Sequence, residues 1–159
     1  MLRLSKLTDY AVVVLIRLAE GERGGADDPV QTSPGIASAT GVPEPTVAKV
    51  LKALGGDGLV LSQRGARGGY RLARPLDAIS ISDVIRAVDG PIALTACVDG
   101  GAGGCDVESL CAVKGRWDLV NEAIRGALNR ITLAEMRAAS IPPALRVPFP
   151  APAAAEAAE

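Results

Sequence analysis

Every cysteine of this chain lies in one short stretch, Cys97-Val-Asp-Gly-Gly-Ala-Gly-Gly-Cys105-Asp-Val-Glu-Ser-Leu-Cys111. The glycine-rich segment between the first two can fold back tightly, because glycine reaches backbone angles that other residues avoid. Three thiolates delivered by one loop can grip a soft metal or an iron–sulfur cluster. The chain has no histidine, so a fourth ligand must be an oxygen, a small molecule or a group from another chain. The odd count leaves one thiol over after any single internal disulfide. Two further readings stay open on these residues: a disulfide that switches with redox state, and three unrelated thiols acting as small hydrophobes. A structural zinc site fits poorly, since it takes four Cys or His ligands.

A second set of residues has the chemistry to meet phosphates and base edges. Thr46, Lys49 and Lys52 fall on one side of an expected helix, and Arg64, Arg67 and Arg71 surround a glycine-rich turn, Arg64-Gly-Ala-Arg-Gly-Gly69. Lysine suits guanine or phosphate, and threonine suits a thymine methyl or a phosphate. Basic residues around a glycine-rich tip can approach a sugar–phosphate backbone or a minor groove closely. A solvated helix face would also carry two lysines. The presence of cations on both helix and turn favours DNA binding over a winged helix that binds only protein.

The elements that must position these groups read as follows. Leu7–Ala19 forms a helix capped by Thr8 or Asp9, with Val12, Leu15, Ile16 and Ala19 at helical spacing. Gly21–Pro29 is a loop. Ser33-Pro34 opens a short helix that stops at Gly41, and Val42–Pro45 makes a turn. Thr46–Leu54 forms the third helix, burying Val47, Val50, Leu51 and Leu54. Leu59–Gln63 and Tyr70–Ala73 read as two strands of a hairpin. This order outlines a mainly α protein with a small β-hairpin, a winged helix-turn-helix. A fourth helix spans Ser82–Val88. Beyond the cysteine loop, Trp117–Ile131 carries an apolar stripe of Leu119, Val120, Ala123, Ile124, Ala127 and Leu128, suited to pairing with a second copy of the chain. Thr132 caps a last short helix, Leu133–Ala138, and the Pro/Ala-rich stretch from 142 onward reads as a disordered tail. The expected organisation is a DNA-binding unit over 1–90, a cysteine loop over 91–114, a dimerisation helix region over 115–140 and a tail over 141–159.

The totals agree with that outline. At 159 residues and 48% apolar composition the chain can build one modest core. It has only four aromatic side chains, Tyr10, Tyr70, Trp117 and Phe149, so aliphatic residues must do the packing. Residues 1–75 carry ten Lys/Arg against seven Asp/Glu, and residues 76–159 carry seven against eleven. A basic front and an acidic back suit a chain with one end facing phosphates. No cleavage site follows the short apolar run Ala11–Ile16, and that run is too short to span a membrane. A cytoplasmic protein with reduced cysteines is expected, with no membrane partner. An enzyme is disfavoured: there is no His base, nucleotide loop or notable carboxylate pair.

Several stretches resemble one bacterial family of iron–sulfur-cluster winged-helix regulators, whose members include IscR, NsrR and RirA. They are Met1–Ala11, Gly41–Leu54, the wing Arg64–Leu72, Val84–Pro91 and the three cysteines. The resemblance covers about residues 1–140, and its nearest branch looks like the regulators of SUF iron–sulfur-cluster assembly. It implies a homodimeric transcription factor on a roughly palindromic double-stranded operator, with Cys97, Cys105 and Cys111 as cluster ligands. Two departures stand out. Seven residues separate Cys97 from Cys105, a longer spacing than in IscR. Lys114 stands where IscR-like members place a histidine, which excludes that ligand here. Asp9, in Leu-Thr-Asp-Tyr, matches the segment where NsrR-like members supply an aspartate across the dimer, and it competes with a plain role as a helix cap or first-turn acid. Three thiolates with Asp9 favour a 4Fe–4S cluster over a 2Fe–2S one. The alternative retained is a thiol/disulfide redox-switch repressor without a cluster.

Overall fold

The computed structural model describes residues 4–23, 30–65, 68–98, 110–113 and 115–138, with the side chains of Glu22 and Arg23 outside the description. Arg67, Cys105, Lys114 and the tail from residue 139 lie outside the described residues, as does most of the expected loop before Pro29. The described elements follow the order α1 (Lys6–Arg23), α2 (Ser33–Thr40), α3 (Glu44–Gly56), β1 (Val60–Gln63), β2 (Gly69–Leu72), α4 (Ile81–Asp89), α5 (Trp117–Arg130) and α6 (Leu133–Ala138), with a 3-10 turn at Leu76–Ala78 before α4. The fold is mainly α with one antiparallel hairpin, as the sequence implies.

Helix α1 is the central element. Ala11, Val14, Leu15 and Leu18 are fully buried on it; of the expected stripe, Leu15 and Ala19 are buried, while Val12 and Ile16 are half-buried, so the core-facing side is rotated towards Ala11 and Val14. Its start differs too. Ser5 provides the cap, its hydroxyl accepting from the Thr8 backbone N–H at 3.1 Å. Thr8 is then free to donate its own hydroxyl to Asp89 at 2.6 Å, joining the start of α1 to the end of α4. The helix runs on past Gly21, which is a weak helix former rather than a stop.

The helix-turn-helix follows. Thr32 caps α2 by accepting from the Gly35 N–H, which moves the cap one residue before the expected Ser33. Gly41, with φ +73°, ends α2 in the left-handed region. Helix α3 starts at Glu44, two residues early, because Pro45 sits in its first turn, where no N–H partner is needed. Its buried face is Val47, Val50, Leu51 and Leu54, as expected.

The hairpin register pairs Val60 with Leu72, Leu61 with Arg71, Ser62 with Tyr70 and Gln63 with Gly69. Val60 and Leu72 face the core, and Leu61 and Arg71 face outward. A third segment joins the sheet: Gln31 and Tyr70 exchange two backbone hydrogen bonds, of 2.9 and 2.8 Å. A Cβ on Gly69 would stand 2.6 Å from the Gln31 carbonyl oxygen, so this close approach requires glycine. The Gln31 side chain donates onward to the Arg17 and Leu18 carbonyls of α1, tying the wing to the centre of the fold.

The last two helices return to the same core. Ile131 is extended rather than helical, because its carbonyl accepts from the Ile81 N–H at 2.9 Å. The Leu133 N–H donates to the Ile79 carbonyl at 2.9 Å, and the Leu133 side chain is fully buried. Thr132 caps α6 in a reciprocal arrangement with Glu135, as its sequence suggests. The apolar stripe on α5 stays largely uncovered: Leu119 is 79% and Val120 44% exposed, beside Trp117 at 41%.

Candidate functional site

Thr46, Lys49 and Lys52 recur every three residues along α3, with Thr46 half-buried and both lysines exposed. Arg71 is exposed on β2, and Arg64 is exposed at the end of β1. An open cleft of about 620 Å³ separates α3 from the hairpin, with Ala48, Leu51 and Lys52 on one wall and Val60, Leu61 and Tyr70 on the other. Lys49, Lys52, Arg64 and Arg71 form no ion pair among the described residues. Their charge is therefore available to a phosphate.

Two neighbouring arginines are employed differently. Arg86 on α4 reaches Asp57, the C-cap of α3, at 3.0 Å and Asp83 at 3.1 Å. Arg74, just beyond the wing, reaches Asp83 at 3.2 Å. This chain of charges fastens α4 to the end of α3 and the exit of the hairpin. Sequence reasoning missed it, since nothing local marks Arg74 and Arg86 apart from the arginines of the wing.

Asp83 anchors that chain and also completes the α4 capping box, accepting from the Ser80 N–H at 3.1 Å while Ser80 accepts from the Asp83 N–H. Burial opposes its ionisation. The hydrogen bonds from Ser80 and the charges of Arg74 and Arg86 outweigh that cost and hold its carboxyl below the ordinary aspartate range. A depressed pKa contributes stability that is full above the unfolded-state value of about 3.9 and fades as pH falls through the folded-state value. Asp83→Asn is expected to cost about 1 kcal/mol at neutral pH, the scale of a lost cap. Paired urea titrations of the two proteins should converge on acidification below that range, and a constant gap from neutral to acid pH would contradict the assignment.

The cysteine segment leaves α4 through Gly90 and returns at α5. Cys97 and Cys111 are both free thiols of intermediate burial. The Cys97 sulfur lies 3.3 Å from the Thr95 hydroxyl, a donor that suits a thiolate. The next residue, Val98, is 5% exposed and anchors the turn. The backbone before Cys97 is held by Asn121 of α5, which bonds to both Ile92 and Leu94. Asn121 was not legible in the sequence, where it interrupts an apolar stripe. Asp9 is exposed in the first turn of α1 and makes no side-chain hydrogen bond among the described residues, so it is not the helix cap. It borders a groove of about 310 Å³ with Leu4, Val12, Ile81 and Met136. Among the described residues no three His, Cys, Asp or Glu side chains converge as a metal site, Cys105 lying outside them. No described helix is long and apolar enough to cross a membrane.

A helix-turn-helix joined to an antiparallel hairpin, with free cations on both, is the architecture of winged-helix transcriptional regulators. The chain belongs to the Rrf2 family of iron-dependent transcriptional regulators, whose model matches residues 4–139. It is similar to the HTH-type transcriptional regulator IscR of Klebsiella pneumoniae, with 33% identity over 135 residues that cover 85% of this chain and 79% of that protein. Among solved structures it resembles CymR, the global cysteine regulator of B. subtilis, at 28% identity and a TM-score of 0.62, covering 89% of this chain and all of that one. It also resembles IscR of T. potens at 29% identity and a TM-score of 0.58, covering 89% of this chain and 93% of that one.

Proposed function

We propose that this protein is a homodimeric transcriptional regulator that holds an iron–sulfur cluster and adjusts its grip on promoter DNA with cluster state, controlling genes of iron–sulfur-cluster assembly of the SUF type. The observation that carries this reading is the direct line from the cysteine segment to the reading head. Cys97 stands eight residues beyond Asp89, the last residue of α4, and Arg86 of α4 is bonded to the end of α3 at Asp57. Membership in an iron-dependent family supports the same conclusion.

The donor set fits the group. Cys97 and Cys111 are free thiols of intermediate burial, and the Thr95 hydroxyl lies within hydrogen-bonding distance of the Cys97 sulfur. Cys97, Cys105 and Cys111 would hold the cluster, preferably of the 4Fe–4S type, with Asp9 of the partner subunit as the oxygen ligand. When bound, the group supplies a centre that oxidants or iron shortage can remove. The chain's own residues do the rest. Lys49, Lys52, Arg64, Arg67 and Arg71 meet DNA, and Thr46 sits at the start of the recognition helix. The exposed α5 stripe of Leu119, Val120 and Trp117 pairs with its twin, so two reading heads face a roughly palindromic site.

The similarity to CymR, a cysteine regulator, is compatible with a second reading, in which the same thiols switch by disulfide formation without a metal. One sample separates the two. Protein purified anaerobically should be coloured, with iron and acid-labile sulfide in comparable amounts, and Cys111→Ser should lose both while remaining folded. A colourless wild type that resists reconstitution with iron and sulfide, yet binds DNA differently after oxidation, selects the thiol switch.

A further inference from the structure

Helix α5 buries a single residue among those described, and it is polar: Asn121, 2% exposed. An asparagine is a poor choice for a helix interior, and a buried amide is costly unless both of its ends are bonded. Here both are. Its Oδ1 accepts from the Leu94 N–H at 3.1 Å, and its Nδ2 donates to the Ile92 carbonyl at 3.1 Å. The side-chain amide thus replaces the neighbour that the backbone of 92–94 would have in a sheet. Immediately downstream come Thr95, within 3.3 Å of the Cys97 sulfur, and the buried Val98. Cys97 is therefore slung between two anchors, the amide clamp before it and the Val98 side chain after it.

We propose that Asn121 is the positioning residue for Cys97: it fixes the arm of chain leading to that thiol onto α5, so that the sulfur is presented half-buried and beside Thr95. The proposal rests on the reading of Cys97 as a sensing thiol, and it holds for a cluster ligand and for a disulfide switch alike. It gives the buried face of α5 a purpose that an apolar residue could not serve, since the amide offers a donor and a separate acceptor to a carbonyl and an N–H of the same passing segment.

The test uses metal-free, reduced, full-length protein. Each cysteine is pulse-labelled with iodoacetamide and its rate read by peptide mass spectrometry. Asn121→Ala should speed labelling of Cys97 roughly tenfold, the factor that about 1.4 kcal/mol represents, and leave Cys105 and Cys111 near their wild-type rates. Asn121→Leu keeps the buried volume and loses both hydrogen bonds without burying a charge, so it should speed Cys97 as the alanine variant does. It also carries the test if the alanine variant does not fold. Asn129→Ala, an exposed asparagine on the same helix, should label like wild type. An unchanged Cys97 rate in both Asn121 variants overturns the proposal, as does equal acceleration at all three cysteines. The sensing reading fails separately, through a wild type whose operator affinity is the same when loaded, reduced and oxidised.

Discussion

Replacing Lys49, Lys52 and Arg71 together by alanine should weaken operator binding by at least about 100-fold at physiological salt. A charge-assisted contact to a base edge or phosphate is worth roughly 1–3 kcal/mol, so removing three together costs more than about 3 kcal/mol. These side chains are exposed and unpaired among the described residues, so their removal takes nothing from the core. The melting temperature should stay close to wild type. The slope of log affinity against log salt should also flatten, by about 0.9 for each phosphate that is no longer neutralised. Titration of a labelled operator at several salt concentrations measures both effects. The contrast with Arg86 is informative. Arg86 is bonded to Asp57 and Asp83, so Arg86→Ala should loosen α4 from α3 and lower stability before it alters the salt slope. An unchanged affinity in the triple variant would remove α3 and the wing from the interface.

Leu133→Ala should destabilise the protein by roughly 2–5 kcal/mol, the usual cost of emptying a leucine site in a closed core. That is a large share of the roughly 5–15 kcal/mol that holds a domain of this size together. The side chain is fully buried, and its backbone is stitched to Ile79 while Ile131 is stitched to Ile81. The chain after α5 thus closes over the 3-10 turn and the start of α4. Met136, three residues on, is 46% exposed, and its alanine variant should shift stability by no more than about 0.5 kcal/mol. Urea unfolding of the two variants decides the matter. Equal small effects would mean that α6 is an appendage and not a part of the core.

The elements with strong local signals were readable from the residues alone. Val47, Val50, Leu51 and Leu54 mark the α3 face at helical spacing, and all four are buried. Thr132 announces the α6 cap and forms it, with Glu135 completing the reciprocal arrangement. Starts and stops were less legible where two candidates compete. Thr32 outcompetes Ser33, whose buried hydroxyl is left without a partner among the described residues, and Ser5 outcompetes Thr8 and Asp9. Thr8 is claimed by Asp89, far away in sequence. The same limit hid the charge chain of Arg74, Asp83, Arg86 and Asp57, and the clamp by Asn121. Each joins residues from different elements, and no spacing rule within one element reports such a pairing. The stripe on α5 was visible as apolar, whereas its exposure was a matter of what packs on it.

The central claim is that the state of the cysteine centre sets the affinity for DNA. It is tested most directly by titrating one operator, under nitrogen, with cluster-loaded and cluster-free samples of the same preparation, iron and sulfide being assayed on both. The account predicts Kd values that differ by roughly 5–150-fold, the range of a 1–3 kcal/mol coupling, and no such difference in Cys111→Ser. Identical Kd values for the loaded and cluster-free protein would contradict it.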